Sequence, residues 1–246
     1  MKIAVVADIH GNLPALEAVI ADLSTERPDQ VVNLGDCVSG PLWPDETGRL
    51  LMQRDWPTVR GNHDRVAVGP KVPASNRTDH FTQAHLSEDV TQWLRLLPQV
   101  IQLTEEITLF HATPEVDDLY LTETVIDGRG VLSSVEEIDN RLAGATAAPL
   151  LLCGHTHIPR LLTLPHGQTI FNPGSVGCPA YSDALPSPHV MEAGSPHCRY
   201  GFLEFSSTGW VFTHKSIAYD WHAAESRART CERPDWADAL KHGVLH

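Results

Sequence analysis

What this 246-residue sequence lacks narrows its function before any motif is read. No apolar segment approaches the roughly 20 residues of a membrane-spanning helix. The opening run Ile3-Ala4-Val5-Val6 stops short of Asp8, so neither a signal peptide nor a membrane anchor is expected. No two cysteines form a Cys-x-x-Cys pair. The five present (Cys37, Cys153, Cys178, Cys198 and Cys231) are odd in number and widely spaced, which fits free thiols in a reducing compartment, the cytoplasm. Positive charge is scarce: 18 Lys and Arg stand against 31 Asp and Glu, a formal −13. That balance opposes loose binding to nucleic acid or to an anionic membrane, so a small anionic substrate needs a local exception to the field. Internal repeats and linkers are also absent, so one domain spanning 1–246 is expected. A chain of this size buries a core without disulfide or metal staples. Oligomeric state is not legible.

What is abundant is histidine, at 14 copies, and its placement follows a pattern. Ile3 to Val6 reads as a strand buried on both faces, with Asp8 and His10 in the loop just beyond it. Asn12 suits an N-cap, Pro14 the first helical turn, and Leu16, Val19, Ile20 and Leu23 recur at helical spacing. Val31 to Leu34 repeats the design and ends at Gly35-Asp36. Thr58-Val59 is a third, shorter strand leading into Gly61-Asn62-His63-Asp64. Residues 69–85, rich in Pro, Ser, Asn and Thr, read as an irregular loop before a helix around Ser87 to Leu96. Val100 to Leu103 and Ile107 to Phe110 form a hairpin that delivers His111, and a looser region follows to Gly130. Ser133 and Glu136 have capping-box spacing for a helix that Gly144 ends. Leu150 to Cys153 is a further buried strand, followed at once by Gly154-His155-Thr156-His157. Two hairpins, Arg160–Leu164 with Thr169–Asn172 and Tyr200–Phe205 with Trp210–Lys215, flank an irregular loop over 173–197. The tail, 218–246, reads as amphipathic helix broken at Pro234.

A lone Asp-x-His or Gly-Asp is an ordinary turn. Recurrence carries the signal: buried strands end, one after another, in Asp8 and His10, Asp36, Asn62-His63-Asp64, His111, and His155-Thr156-His157. In an open α/β sheet those ends are where ligands bind. The donors are imidazole, carboxylate and amide oxygen, with no cysteine in the ligand positions, so they suit an open metal site rather than a closed structural zinc. Two carboxylates against two divalent cations leave the pocket locally positive, which points to phosphate.

In order and along about two thirds of the chain, Asp8-Ile9-His10, Gly35-Asp36, Gly61-Asn62-His63-Asp64, His111 and Gly154-His155-Thr156-His157 resemble the calcineurin-like metallophosphoesterases. Arg60, Phe110-His111-Ala112-Thr113-Pro114 and Asn172-Pro173-Gly174-Ser175-Val176-Gly177 are similar to its small prokaryotic branch, which includes diadenosine tetraphosphate hydrolases and protein phosphatases. The resemblance implies an α/β fold, a four-layer α/β/β/α sandwich of two mixed sheets, with two divalent or mixed-valence ions (Mn, Fe, Zn or Ni) at one rim. By motif position, Asp8, His10 and His157 would hold one ion and Asn62, His111 and His155 the other, with Asp36 bridging. Asn62 and His63 would face the substrate; His63 would be the catalytic acid and Asp64 would orient it. The implied reaction is in-line attack of a hydroxide shared by the metals on a small phosphate ester: a phosphomonoester, a phosphoprotein or a dinucleotide polyphosphate. A phosphodiesterase or nuclease, or a non-catalytic metal-binding scaffold, is the alternative.

One departure from the broader superfamily stands out. The phosphate-clamping arginine that follows Gly-Asp in eukaryotic protein phosphatases is missing, and the stretch here is Cys37-Val38-Ser39-Gly40-Pro41. Arg60 or Arg199 could replace it, or serve as ordinary structural arginines. His189 and His197 could line the pocket from the 173–197 loop. Asn12 is accounted for as a helix cap, and Cys37 and Cys153 as small buried thiols.

Overall fold

The computed structural model describes residues 1–142 and 144–245. The chain opens with β1 (Lys2–Val6), α1 (Leu13–Glu26) and β2 (Gln30–Asn33), then runs through four helices, α2 (Pro44–Met52), α3 (Asn62–Ala67), α4 (Arg77–His85) and α5 (Glu88–Leu96). Two hairpins follow, β3 (Val100–Thr104) with β4 (Ile107–Phe110) and β5 (Glu123–Ile126) with β6 (Arg129–Leu132). Next come α6 (Val135–Leu142), β7 (Leu150–Leu152), β8 (Arg160–Thr163), β9 (Thr169–Asn172), β10 (Ala180–Asp183) and β11 (His189–Glu192). A long hairpin, β12 (Cys198–Ser206) with β13 (Gly209–Ile217), precedes α7 (Trp221–Thr230) and α8 (Pro234–His242).

Three mixed sheets result, in the orders β13-β12-β1-β2, β3-β4-β7-β9-β8 and β10-β11-β6-β5. Strand pleating explains how the first two stack, since successive side chains of a strand point to opposite faces. In β1, Ile3 and Val5 join Leu109, Leu152 and Phe171 in the core between the sheets, whereas Ala4 and Val6 meet Leu16 and Val19 of α1 on the outer face. The outer face of the second sheet buries Phe110, Leu151 and Ile170 against Ile138 and Leu142 of α6. Helix, sheet, sheet and helix are thus the four layers expected from the sequence. A fourth cluster ties Leu42 to Ala224, Ala228, Ala237 and Leu240 of α7 and α8.

Several expectations need correction. Residues 69–85 are irregular only at first, because Asn76 accepts a hydrogen bond from Asp79 N and starts α4. The 173–197 segment contains β10 and β11, and with the β5–β6 hairpin they build a third sheet beyond the two expected. Thr58-Val59 forms only an isolated parallel bridge to Asn33 rather than a strand. The α6 capping box lies one residue later than the spacing of Ser133 and Glu136 suggests: Ser134 and Glu137 exchange side chain to backbone bonds. The tail forms two helices with Pro234 in the first turn of α8, and its last residue, His246, lies outside the described residues. Among the described residues no helix is long and apolar enough to cross a membrane.

Candidate metal centre

The expected ligands converge because the loops that carry them are stitched together by backbone. Asp8 N–H and His10 N–H donate to the Gly35 and Asp36 carbonyls, Gly154 N–H donates to His111 O, and Val176 and Gly177 N–H donate to Ala7 and Asp8 O. The Asn172 side chain holds Gly154 O at 2.7 Å and Ser175 Oγ holds Asp8 O at 2.7 Å, so the Asn-Pro-Gly-Ser segment latches the Asp8 loop to the His155–His157 loop. Gly61 has no room for a side chain: a Cβ there would strike Asp36 Oδ1, which accepts a hydrogen bond from His63 N at 3.0 Å.

Local strain marks the same residues. Among the described residues, eight non-glycine positions have positive φ, and five of them are Asp8, His10, Asp36, His155 and His157. That conformation is uncommon for side-chain-bearing residues and persists where surrounding structure over-determines it. Around buried Ile9, the two left-handed residues Asp8 and His10 turn their polar groups to one side.

Two trios of donors result. Ligand atoms of Asp8, His10 and His157 lie within 4.8 Å of one another, as do those of Asp36, His111 and His155. Asn62 Oδ1 is 3.0 Å from His111 Nε2. Asp36 Oδ2 lies 3.3 Å from His111 Nε2 and 3.7 Å from His10 Nε2, between the trios.

The ring nitrogens show that the donors suit a cation. His10, His111 and His157 each place Nδ1 within 2.6–2.7 Å of a backbone carbonyl, of Ser39, Leu34 and Cys178 respectively. Those bonds protonate Nδ1 and turn Nε2 inward, in His10 and His157 as a lone pair, the arrangement that orients metal-ligating histidines. His10 Nε2 and His157 Nε2 then face each other at 3.1 Å with no proton between them, and buried His155 Nε2 has no hydrogen-bond partner among the described residues. A cation resolves both features. Burial lowers His10 to about 4 and His155 to about 3, and it holds His157 well below its usual value, so all three are neutral, as ligation requires. Burial and the neighbouring Asp36 raise Asp8 to about 8. For His111 the burial effect is outweighed by Asp36 and Asp8, which raise it to about 10.

His63 stands apart from both trios at the mouth of the cleft, with Nδ1 2.8 Å from Asp79 Oδ1. Burial favours its neutral form, but the carboxylates of Asp36 and Asp79 outweigh that and raise it to about 9. The orienting role expected of Asp64 therefore falls to Asp79. Asp64 is occupied by the backbone N–H groups of Cys37 and Gly61, at 2.9 and 3.1 Å, and so ties the second loop to the start of α3. Asp79 is itself held by Ser39 Oγ at 2.7 Å and Asn76 Nδ2 at 2.8 Å. Its sequence signal was the Asn-x-x-Asp spacing of a helix start at 76–79, inside the stretch read as loop.

The cleft above the trios holds about 340 Å³. Tyr120 packs 4.9 Å from the His155 ring and Tyr181 4.6 Å from the His157 ring, forming one wall. The tail supplies another through Arg233 and Trp236. Neither arginine weighed from the sequence lines this space. Arg199 donates to the carbonyls of Ala193, Ser195 and His197 and is buried, and Arg60 lies off the cleft. His189 sits behind the wall with Nε2 2.9 Å from Tyr120 Oη, and His197 lies away from the cleft. Asn12 caps α1, and burial pushes the Cys37 and Cys153 thiols up, away from the reactive thiolate.

With this site in a four-layer sandwich, the chain falls in the class of metallophosphoesterases. The calcineurin-like phosphoesterase superfamily domain matches residues 1–193, and the chain belongs to that family. A metallophosphoesterase from Sphaerobacter thermophilus superimposes with a TM-score of 0.77 at 25% identity, over 99% of each chain. A hypothetical protein from Pyrococcus horikoshii has the same fold, with a TM-score of 0.75 at 19% identity over 100% of this chain and 99% of that one. An uncharacterized protein of Methanocaldococcus jannaschii is 27% identical over 206 residues, which is 72% of this chain and 76% of its own.

Proposed function

We propose that this chain is a cytoplasmic, dinuclear metal-dependent phosphoesterase that hydrolyses a small phosphate ester: a phosphomonoester, a phosphoprotein or a dinucleotide polyphosphate. The observation that carries this reading is the place of the Asp36 carboxylate, with one oxygen within 3.3–3.7 Å of an imidazole from each trio. Asp8, His10 and His157 would hold one ion, Asn62, His111 and His155 the other, and Asp36 both. Imidazole, carboxylate and amide donors together suit Mn, Fe, Zn or Ni. Two such ions would polarise the phosphoryl oxygens and lower the pKa of water toward ~7.

The protein's own groups do the rest. His63, kept protonated at neutral pH by Asp36 and Asp79, has Nδ1 engaged and Nε2–H free to protonate the departing oxygen. Asp79 fixes the ring so that this proton faces the cleft. Asn62 and His63 together present one amide and one imidazolium to the phosphate. The −13 charge balance supports a small substrate over nucleic acid, whose binding depends on a cationic track.

The test is to reconstitute the protein with Mn²⁺ and compare an aryl phosphate, its diester and a dinucleotide polyphosphate. Hydrolysis of the monoester or the polyphosphate is expected. Turnover of the diester alone would replace this reading with a phosphodiesterase, and inertness toward all three would leave a metal-binding scaffold.

A further inference from the structure

Charge in the cleft is unevenly placed. Of the described residues that line it, Arg233 is the only lysine or arginine, against four aspartates that include Asp79 and Asp235. Arg233 lies in the C-terminal tail, beyond residues 1–193, the stretch the family domain matches. It is 8% exposed and held in place: Nη1 donates to Thr78 Oγ1 at 2.8 Å, Nε and Nη2 donate to Asp235 at 2.9 and 2.6 Å, and the guanidinium lies 5.8 Å from the centre of the Trp236 ring. Three of the five N–H donors of a guanidinium are thereby used. Among the described residues, one donor on each terminal nitrogen has no partner.

Position decides what those donors are for. Thr78 adjoins Asp79 in α4, and Asp79 bonds the His63 ring, so Arg233 stands on the side of the cleft where His63 faces the departing group. We infer that Arg233 is a specificity residue that binds an anionic group on the leaving side of the substrate, a second negative charge separate from the scissile phosphate. This rests on the reading of His63 as proton donor to the leaving oxygen. A guanidinium set beside an indole and fixed by a threonine and a carboxylate has little rotamer freedom left to lose, so it binds a planar oxyanion at low entropic cost. Asp235, 54% exposed on its side chain, stays on Nε and Nη2, and a ligand anion takes the two unused donors.

The test uses two phosphonates that differ only at that position, phenylphosphonate and 4-carboxyphenylphosphonate, titrated calorimetrically into the Mn²⁺-loaded full chain. Native protein is expected to prefer the carboxylate compound by about tenfold or more, the range of a hydrogen bond to a charged group. Arg233→Gln should abolish the preference while leaving phenylphosphonate affinity in place, and Arg233→Lys should keep part of it. No preference in the native protein, a preference that survives Arg233→Gln, or equal weakening of both ligands by that change would overturn the assignment. The two corresponding phosphate esters are assayed in parallel. If neither is hydrolysed while the phosphonate preference holds, the phosphoesterase reading fails and the anion subsite stands.

Discussion

His63 keeps its proton because two carboxylates from different elements act on it: Asp36 from the loop after β2, and Asp79 from α4 at 2.8 Å. It ligates nothing in either trio, so its removal should separate chemistry from metal binding. His63→Ala is expected to keep the full metal content by elemental analysis and to lose about 10²–10⁴-fold in kcat for alkyl phosphates. Loss should be smaller for 4-nitrophenyl phosphate, whose leaving oxygen needs little protonation. Asp79→Asn should give the same leaving-group dependence with a smaller loss, about 10- to 100-fold, as for partners that orient a reacting group. An equal loss on both substrates would mean that Asp79 is merely structural. Asp64→Asn should instead act on stability, since that carboxylate accepts from the backbone N–H groups of Cys37 and Gly61 and so ties the loop after β2 to the start of α3.

At the scale of elements, the loops depend on close backbone approach, and the sandwich edge depends on charge. Gly61→Ala places a methyl group against Asp36 Oδ1. The change should cost about 1–3 kcal/mol, as overpacking does, and should weaken Mn²⁺ binding through Asp36. Unaltered metal affinity would show that Asp36 does not need this contact. At the opposite edge, Glu26 of α1 bonds Lys2 of β1 and Lys215 of β13, each at 2.7 Å, and these two partners lower its carboxyl to about 2 from an ordinary 4.5. A lowered folded-state value stabilises the fold above about pH 4.5, and the contribution disappears as pH falls toward 2. Glu26→Gln should therefore flatten the acid limb of a stability–pH curve between those values and change little at pH 7 beyond the loss of two part-buried surface ion pairs.

On the scale of the whole molecule, the candidate metal centre sits at the end of a core that is complete without it. Ile3, Val5, Leu109, Leu152 and Phe171 are buried between the sheets whatever occupies the rim. Chelation with EDTA should leave the far-ultraviolet circular dichroism unchanged and lower the Tm, because a ligand at a hundredfold excess over its Kd stabilises by about 2.7 kcal/mol. A collapse of secondary structure on chelation would make the ions structural.

Local sequence alone specified the buried strands β1, β2, β4 and β7 and the polar residues at their ends, because both are short-range features. A β-branched run buried on two faces, followed at once by Asp, His or Asn, is visible in any window containing Val6 to His10 or Leu150 to His157. It also carried the resemblance that assigned Asp8, His10, Asp36, Asn62, His111, His155 and His157 to one rim. Pairing between distant segments was settled only in three dimensions. Asp79 looks like a helix-start residue in a polar stretch until α4 packs it against His63, and Arg233 looks like a tail residue until α8 folds over Thr78. Asp64, one residue from His63 in sequence, turned away because backbone N–H groups at Gly61 and Cys37 lay closer to its carboxylate. Spacing along a chain specifies which groups can share a strand end, whereas the partner of a side chain depends on what the rest of the fold brings within hydrogen-bonding distance.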